Sequence, residues 1–183
     1  MPLPHAHFPD HTVDSAPAAA RRTMRATADR LGYLPAGVGR MATSPQLLDG
    51  FLKLSALFES TTLDPLARET VILTIATRNS CHLCVAMHTA KLTALGADPG
   101  LIEDLRTQRP LADRKLEAIR AFTLEVVTTA GAVGDDRLRS FLACGYTPQN
   151  ALEVVLGIGA YTTSTLANRL LDAPVDDQLT AFA

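Results

Sequence analysis

The chain has 183 residues, enough for one domain with a substantial buried interior. Its 17 basic and 19 acidic residues give a net charge of -2 with no long block of either sign, which excludes the basic footprint that a nucleic-acid partner requires. Its 3 cysteines are odd in number and so cannot all pair in a disulfide scaffold, and a close pair among them points to chemistry or a metal.

Residues 1–17 hold four prolines and the histidines His5, His7 and His11, with little periodic apolar pattern. They read as a flexible or surface-wrapping arm, with a solvated tail favoured over a histidine metal site. The opening residues lack the positive start and apolar run of a secretory signal, so the expected location is the cytoplasm. The longest charge-free run, Val154 to Asn168, is short for a membrane span and contains Gly157, Gly159 and four serines or threonines. No transmembrane helix is expected.

Residues 18–183 read as one all-helical domain, with its core motif in residues 63–96. Ser44-Pro45, Asp64-Pro65, Asp98-Pro99 and Thr147-Pro148 each set a capping side chain before a proline suited to the first helical position. Leu47, Leu48, Phe51, Leu52, Leu54 and Phe58 form one helical stripe, and Leu116, Ile119, Phe122, Val126 and Val127 form another. A helix from Pro65 to about Thr77 is apolar nearly all round from Val71 to Ala76 and should be central and buried. Gly96 and Gly145 are expected stops. Asp64-Pro65…Glu69 and Thr147-Pro148…Glu153 rhyme weakly, as two related helical halves would. From Gly145 to Asn168 only Glu153 is charged, so the last long helix should be partly buried in an oligomer.

The stretch NSCHLCVAMH carries the chemistry. Asn79 and Ser80 are expected caps for a helix from near Cys81 to about Leu95. A cysteine at such a terminus is favoured as its thiolate. Cys81, Cys84, Val85, His88, Leu92 and Leu95 fall on one inward stripe, while His82 points elsewhere and is at most a supporting residue. His88, one turn beyond Cys84, is placed to take its proton. If the two helices form an antiparallel hairpin, Glu69 lies beside His88, and an ionised carboxylate in that apolar stretch needs such a partner. The expected relay is Glu69–His88–Cys84, with Cys81 as disulfide partner.

The run RETVILTIATRNSCHLCVAMHTAKLTALG resembles the core of the alkyl hydroperoxidase D-like family within the carboxymuconolactone decarboxylase superfamily, whose pattern is a glutamate followed by C-x-x-C-x-x-x-H. The resemblance extends upstream through LGYLPAGVGRMATSPQLLDGF and, more weakly, downstream through LANRLLDAPVDD. It implies an all-helical fold, trimers or hexamers, and thiol-dependent reduction of organic hydroperoxides. By that resemblance Cys84 attacks, Cys81 resolves, and His88 and Glu69 relay the proton. One departure is visible: the peroxidases resemble C-x-H-C, whereas Leu83 stands at that place and the histidine is His82.

Other readings of these residues are a zinc site of Cys81, Cys84 and His88 with Glu69 or Cys144, a decarboxylase acting on a lactone ring, and a dithiol sensor. Haem attachment is excluded because Val85 stands where its histidine belongs, and Cys144 reads as structural. No nucleotide or flavin motif appears, so no cofactor is expected and electrons should come from a lipoyl-type dithiol, a thioredoxin-like protein or a small thiol.

Overall fold

A computed structural model describes residues 7–183, and the described residues contain helices and no strands. In chain order they are α1 (Ala18–Leu31), α2 (Ala36–Met41), α3 (Pro45–Glu59), α4 (Pro65–Arg78), α5 (His82–Ala94), α6 (Pro99–Arg106), α7 (Arg114–Thr128), α8 (Asp135–Ala143) and α9 (Pro148–Leu170), followed by a 3-10 segment at Asp177–Phe182. None is long and apolar enough to cross a membrane.

The four capped prolines all start helices. Ser44 accepts from the Leu47 N–H, Asp64 from Ala67, Asp98 from Gly100 and Leu101, and Thr147 forms a reciprocal capping box with Asn150. Gly96 and Gly145 follow the ends of α5 and α8 in the left-handed conformation that glycine adopts without strain.

Helix α4 is buried on every side from Glu69 to Thr77 because α5, α7 and α9 surround it. Its threonines are tolerated there because Thr70, Thr74 and Thr77 return their hydroxyls to carbonyls one turn back. Leu116, Ile119, Phe122 and Val126 are buried on α7, and Phe122 stacks on Phe141 of α8. The stripe on α3 is less complete than its spacing predicts, with Leu48 and Phe58 fully buried and the others partly so.

Glu69 and Glu153 sit at similar places after their capped prolines but have different partners. Glu153 accepts only from neutral groups, namely the Thr62 amide and hydroxyl, Asn150 and Gln149, and so pins the α3–α4 loop to α9. The outer face of α9 leaves Leu152, Val155, Leu166 and Leu170 exposed. This is the face on which the expected oligomer contact would fall.

Of the N-terminal histidines, His5 lies outside the described residues, His7 is exposed and His11 is half-buried. The His11 carbonyl lies so close to α2 that a Cβ on Gly39 would come within 2.9 Å of it. Ala16 is buried, and Arg40 pairs with Asp10 while donating to the carbonyls of Leu171 and Asp172. Residues 8–17 thus wrap over α2, which is in turn tied to the end of α9.

α3 and α9 pack in direct contact because Gly157 lets the Phe58 ring into the helix surface, where a Cβ would sit 2.6 Å from Cε2. Gly157→Ala should therefore destabilise by about 1–3 kcal/mol through overpacking, despite alanine's better helix propensity. A thermal melt should show a midpoint several degrees lower, and an unchanged midpoint would mean that Phe58 has room to move.

Candidate active site

The turn between α4 and α5 sets the geometry of the site. Asn79 closes α4 as its C-cap, Ser80 takes a positive φ of 53°, and Cys81 becomes the N-cap of α5. The predicted caps therefore shift by one position, because the tight reversal needs a left-handed residue at Ser80. The Asn79 side chain instead donates to Thr165 of α9 at 2.8 Å. Cys81 makes no side-chain cap bond, and its sulfur is left to face Cys84.

The two sulfurs are buried and 2.7 Å apart, with the Cys81 thiol donating to Cys84. Asn168 Nδ2 lies 3.3 Å from the Cys84 sulfur and Ser164 Oγ lies 3.9 Å from it, both from α9. The hydrogen bond from Cys81 is the largest influence on Cys84. Burial opposes it, but donation from Asn168 and Ser164 and the charge of His88 help to push the Cys84 pKa down to about 6. Cys81 is driven the opposite way, because its proton is held by Cys84 and its site is buried. Of the pair, Cys84 is the thiolate and Cys81 keeps the proton.

Glu69 and His88 meet as the hairpin requires: His88 Nδ1 is 2.7 Å from Glu69 Oε2. The other carboxylate oxygen, Oε1, is 2.9 Å from Lys91 Nζ, and Lys91 also reaches Glu59 at 3.1 Å. Burial alone would raise the Glu69 pKa, but His88 and Lys91 outweigh it and hold the carboxyl below its ordinary value. The Tyr161 ring packs edge-on against His88 with centroids 5.3 Å apart, its hydroxyl paired with Ser55. His82 is exposed and takes no part in this cluster, and Leu95 is also exposed, so the inward stripe ends at Leu92.

His88 and Cys84 are not hydrogen-bonded to each other; both line one narrow cavity of about 50 Å³. Its other walls are mostly apolar, with Val38 and Met41 from α2, Phe51 from α3, and Leu83 and Met87 from α5. A group of a few heavy atoms entering it would lie between the sulfur and the imidazole. Among the described residues no three Cys, His, Asp or Glu side chains converge as a metal-ligand set. Both oxygens of Glu69 are occupied, and Cys144 stands apart at the C-cap of α8.

Lys91, Tyr161, Ser164 and Asn168 were not singled out from the sequence. For Lys91 a signal existed, since it lies three residues past His88 on the same helical face. For Ser164 and Asn168 it was fainter, a pair at i, i+4 in the charge-free run of α9.

The fold is that of the AhpD-like helical proteins. Residues 45–124 match the model of the Carboxymuconolactone decarboxylase family, and the chain shares its helical fold with AhpD-like structures. It is similar to the crystal structure of an alkylhydroperoxidase AhpD core, an uncharacterized peroxidase-related protein from Ralstonia eutropha JMP134. That likeness has a TM-score of 0.82 at 18% identity and covers 94% of this chain and 93% of that one. An uncharacterized peroxidase-related protein from Silicibacter sp. TM1040 gives a TM-score of 0.78 at 17% identity, covering 94% and 93%. A cysteine-to-alanine variant of the debrominase Bmp8, in complex with 2,3,4-tribromopyrrole, gives 0.73 at 16% identity, covering 96% and 94%. A search of curated protein sequences finds no significant match.

With the Cys84 pKa near 6, the thiol is mostly protonated below that pH and mostly thiolate above it. Its alkylation by iodoacetamide should rise from about pH 5 to pH 7 and then level off, well below the range of a free cysteine at about 8.5. Glu69→Gln removes the carboxylate bonded to His88, and weakening the imidazole's support of the thiolate should move the midpoint upward. A midpoint unmoved in that variant would uncouple Glu69 from the sulfur.

Proposed function

We propose that the protein is a dithiol peroxidase that reduces organic hydroperoxides. The observation that carries this reading is the shared cavity: a sulfur held as thiolate on one side, and a carboxylate-bound imidazole on the other.

In the first step the Cys84 thiolate attacks the terminal oxygen of R–O–O–H. An S–O bond forms, the O–O bond breaks, and Cys84 becomes a sulfenic acid while RO⁻ departs. His88, having taken the proton that Cys84 lost, returns it to RO⁻ to give the alcohol, and Glu69 steadies the imidazolium meanwhile. Cys81 then attacks the sulfenic sulfur, water leaves, and the disulfide closes over the 2.7 Å gap. The sum is two thiols and ROOH converted to a disulfide, ROH and water. An external thiol restores the pair through a mixed disulfide. Since Cys81 and Cys84 are only 2% and 5% exposed, a slender donor such as a lipoyl-type dithiol or a small thiol fits better than a flat protein face.

A second reading is reductive dehalogenation. The narrow apolar cavity favours it, as does the likeness to a debrominase across nearly the whole chain. The electron count is the same: R–Br, the Cys84 thiolate and the Cys81 thiol give R–H, bromide and a disulfide.

The test is intact mass and thiol titration before and after one equivalent of cumene hydroperoxide. Two titratable thiols and about two mass units should be lost. Cys84→Ser should abolish the change, and Cys81→Ser should halt it as a sulfenic acid heavier by about 16 Da. Thiols unchanged by peroxide, with bromide released from a bromopyrrole in the presence of dithiothreitol, would select the second reading. Thiols inert to both would return the site to a decarboxylase or structural role.

A further inference from the structure

We infer that Asn168 holds the Cys84 sulfur as its thiolate, and that Gly37 is the notch that seats the Asn168 amide. The inference rests on the reading of Cys84 as the reacting thiolate and adds a working residue from a helix that carries none of the cysteine motif.

Asn168 lies near the end of α9, one turn after Ser164, and is only 7% exposed. Its Nδ2 group is directed to the Cys84 sulfur at 3.3 Å and to Ser164 Oγ at 3.5 Å. Its Oδ1 is buried without a hydrogen-bond partner. Buried polar atoms left unpaired are exceptional in folded proteins and mark places where another demand prevails. Here the demand is visible. Turning the amide over would set its oxygen against the thiolate, whereas the observed orientation gives the donor to the sulfur and leaves the acceptor facing α2. There it meets Gly37, where an added Cβ would come within 2.7 Å of Oδ1 and 3.1 Å of Leu83. The notch is fixed in place because Asp176 accepts from the Ala36 N–H at 2.9 Å and Arg40 ties α2 to the carbonyls of Leu171 and Asp172.

A neutral donor aimed at the sulfur favours the charged form of the thiol without adding a counter-charge. It gains nothing of the kind from a disulfide sulfur. Asn168 therefore stabilises the reduced pair relative to the oxidised one and makes the Cys81–Cys84 disulfide easier to reduce.

The readout is thiolate formation against pH, followed by its ultraviolet absorbance and by iodoacetamide alkylation, neither of which needs peroxide turnover. In Asn168→Leu the midpoint should rise by about one unit, and alkylation at pH 6 should fall about fivefold. Asn168→Asp, close in shape but with an acceptor and a charge in place of the donor, should raise it further. Gly37→Ala, which helix propensity favours, should move it in the same direction while circular dichroism stays unchanged. Leu166→Ala, on the exposed face of α9, should leave it in place.

A folded Asn168→Leu with an unmoved midpoint, or an Asn168→Asp that titrates like the unsubstituted protein, overturns the inference. Should Asn168→Leu fail to fold, Gly37→Ala decides by the same criterion. If the unsubstituted protein does not reduce hydroperoxide yet these midpoints shift, the peroxidase reading falls and the role of Asn168 stands.

Discussion

Helix α4 is enclosed by α5, α6, α7 and α9, and an ionised carboxylate in such a place is tolerated only when its charge is answered on each oxygen. Glu69 meets this demand with His88 on one side and Lys91 on the other. Both partners come from α5, so the carboxylate fixes the register of the α4–α5 hairpin as well as the orientation of the imidazole. Glu153 shows the contrast on α9. It too is a buried glutamate, but it is answered by amides and hydroxyls alone, and it fastens a loop instead of orienting an imidazole.

Around that hairpin the remaining helices divide the work. α9 supplies the second wall, with Ser164 and Asn168 beside the sulfur and Tyr161 against the imidazole. α2 closes the top of the cavity and is held by contacts from residues distant in the chain, including Asp10, Asp176 and the carbonyls at the end of α9. The environment of two cysteines three positions apart in a turn-and-helix motif thus depends on side chains eighty or more residues downstream.

How far this was legible in the chain follows from the range of the forces involved. Capped prolines, the mostly apolar run of α4 from Val71 to Ala76 and the one-turn step from Cys84 to His88 are local, and all four proline-led helices begin where the side-chain chemistry places them. The Glu69–His88 pairing was legible at longer range because a hairpin equates distances from its turn. The shift of the cap from Ser80 to Cys81 was not, since it depends on the backbone needing a left-handed residue in a short reversal. Nor was Asn168, whose relation to Cys84 is set by how α9 lies across the hairpin. Helical spacing predicts which residues share a face, but it does not say what the face will meet, as the exposed Leu95 and the outer leucines of α9 show.

Lys91 leads to a different conclusion about traffic through the molecule. Its half-exposed ammonium and Glu69 border a hollow on the protein surface with Glu59 and Arg68, on the side away from the sulfur. The imidazole and the thiolate instead border the apolar cavity beneath α2. The chain of ionisable groups therefore opens to water at one end and to an oily recess at the other. In the proposed reaction, protons would be exchanged with the medium by one door and organic molecules would use the other, so neither would have to wait for the other to clear.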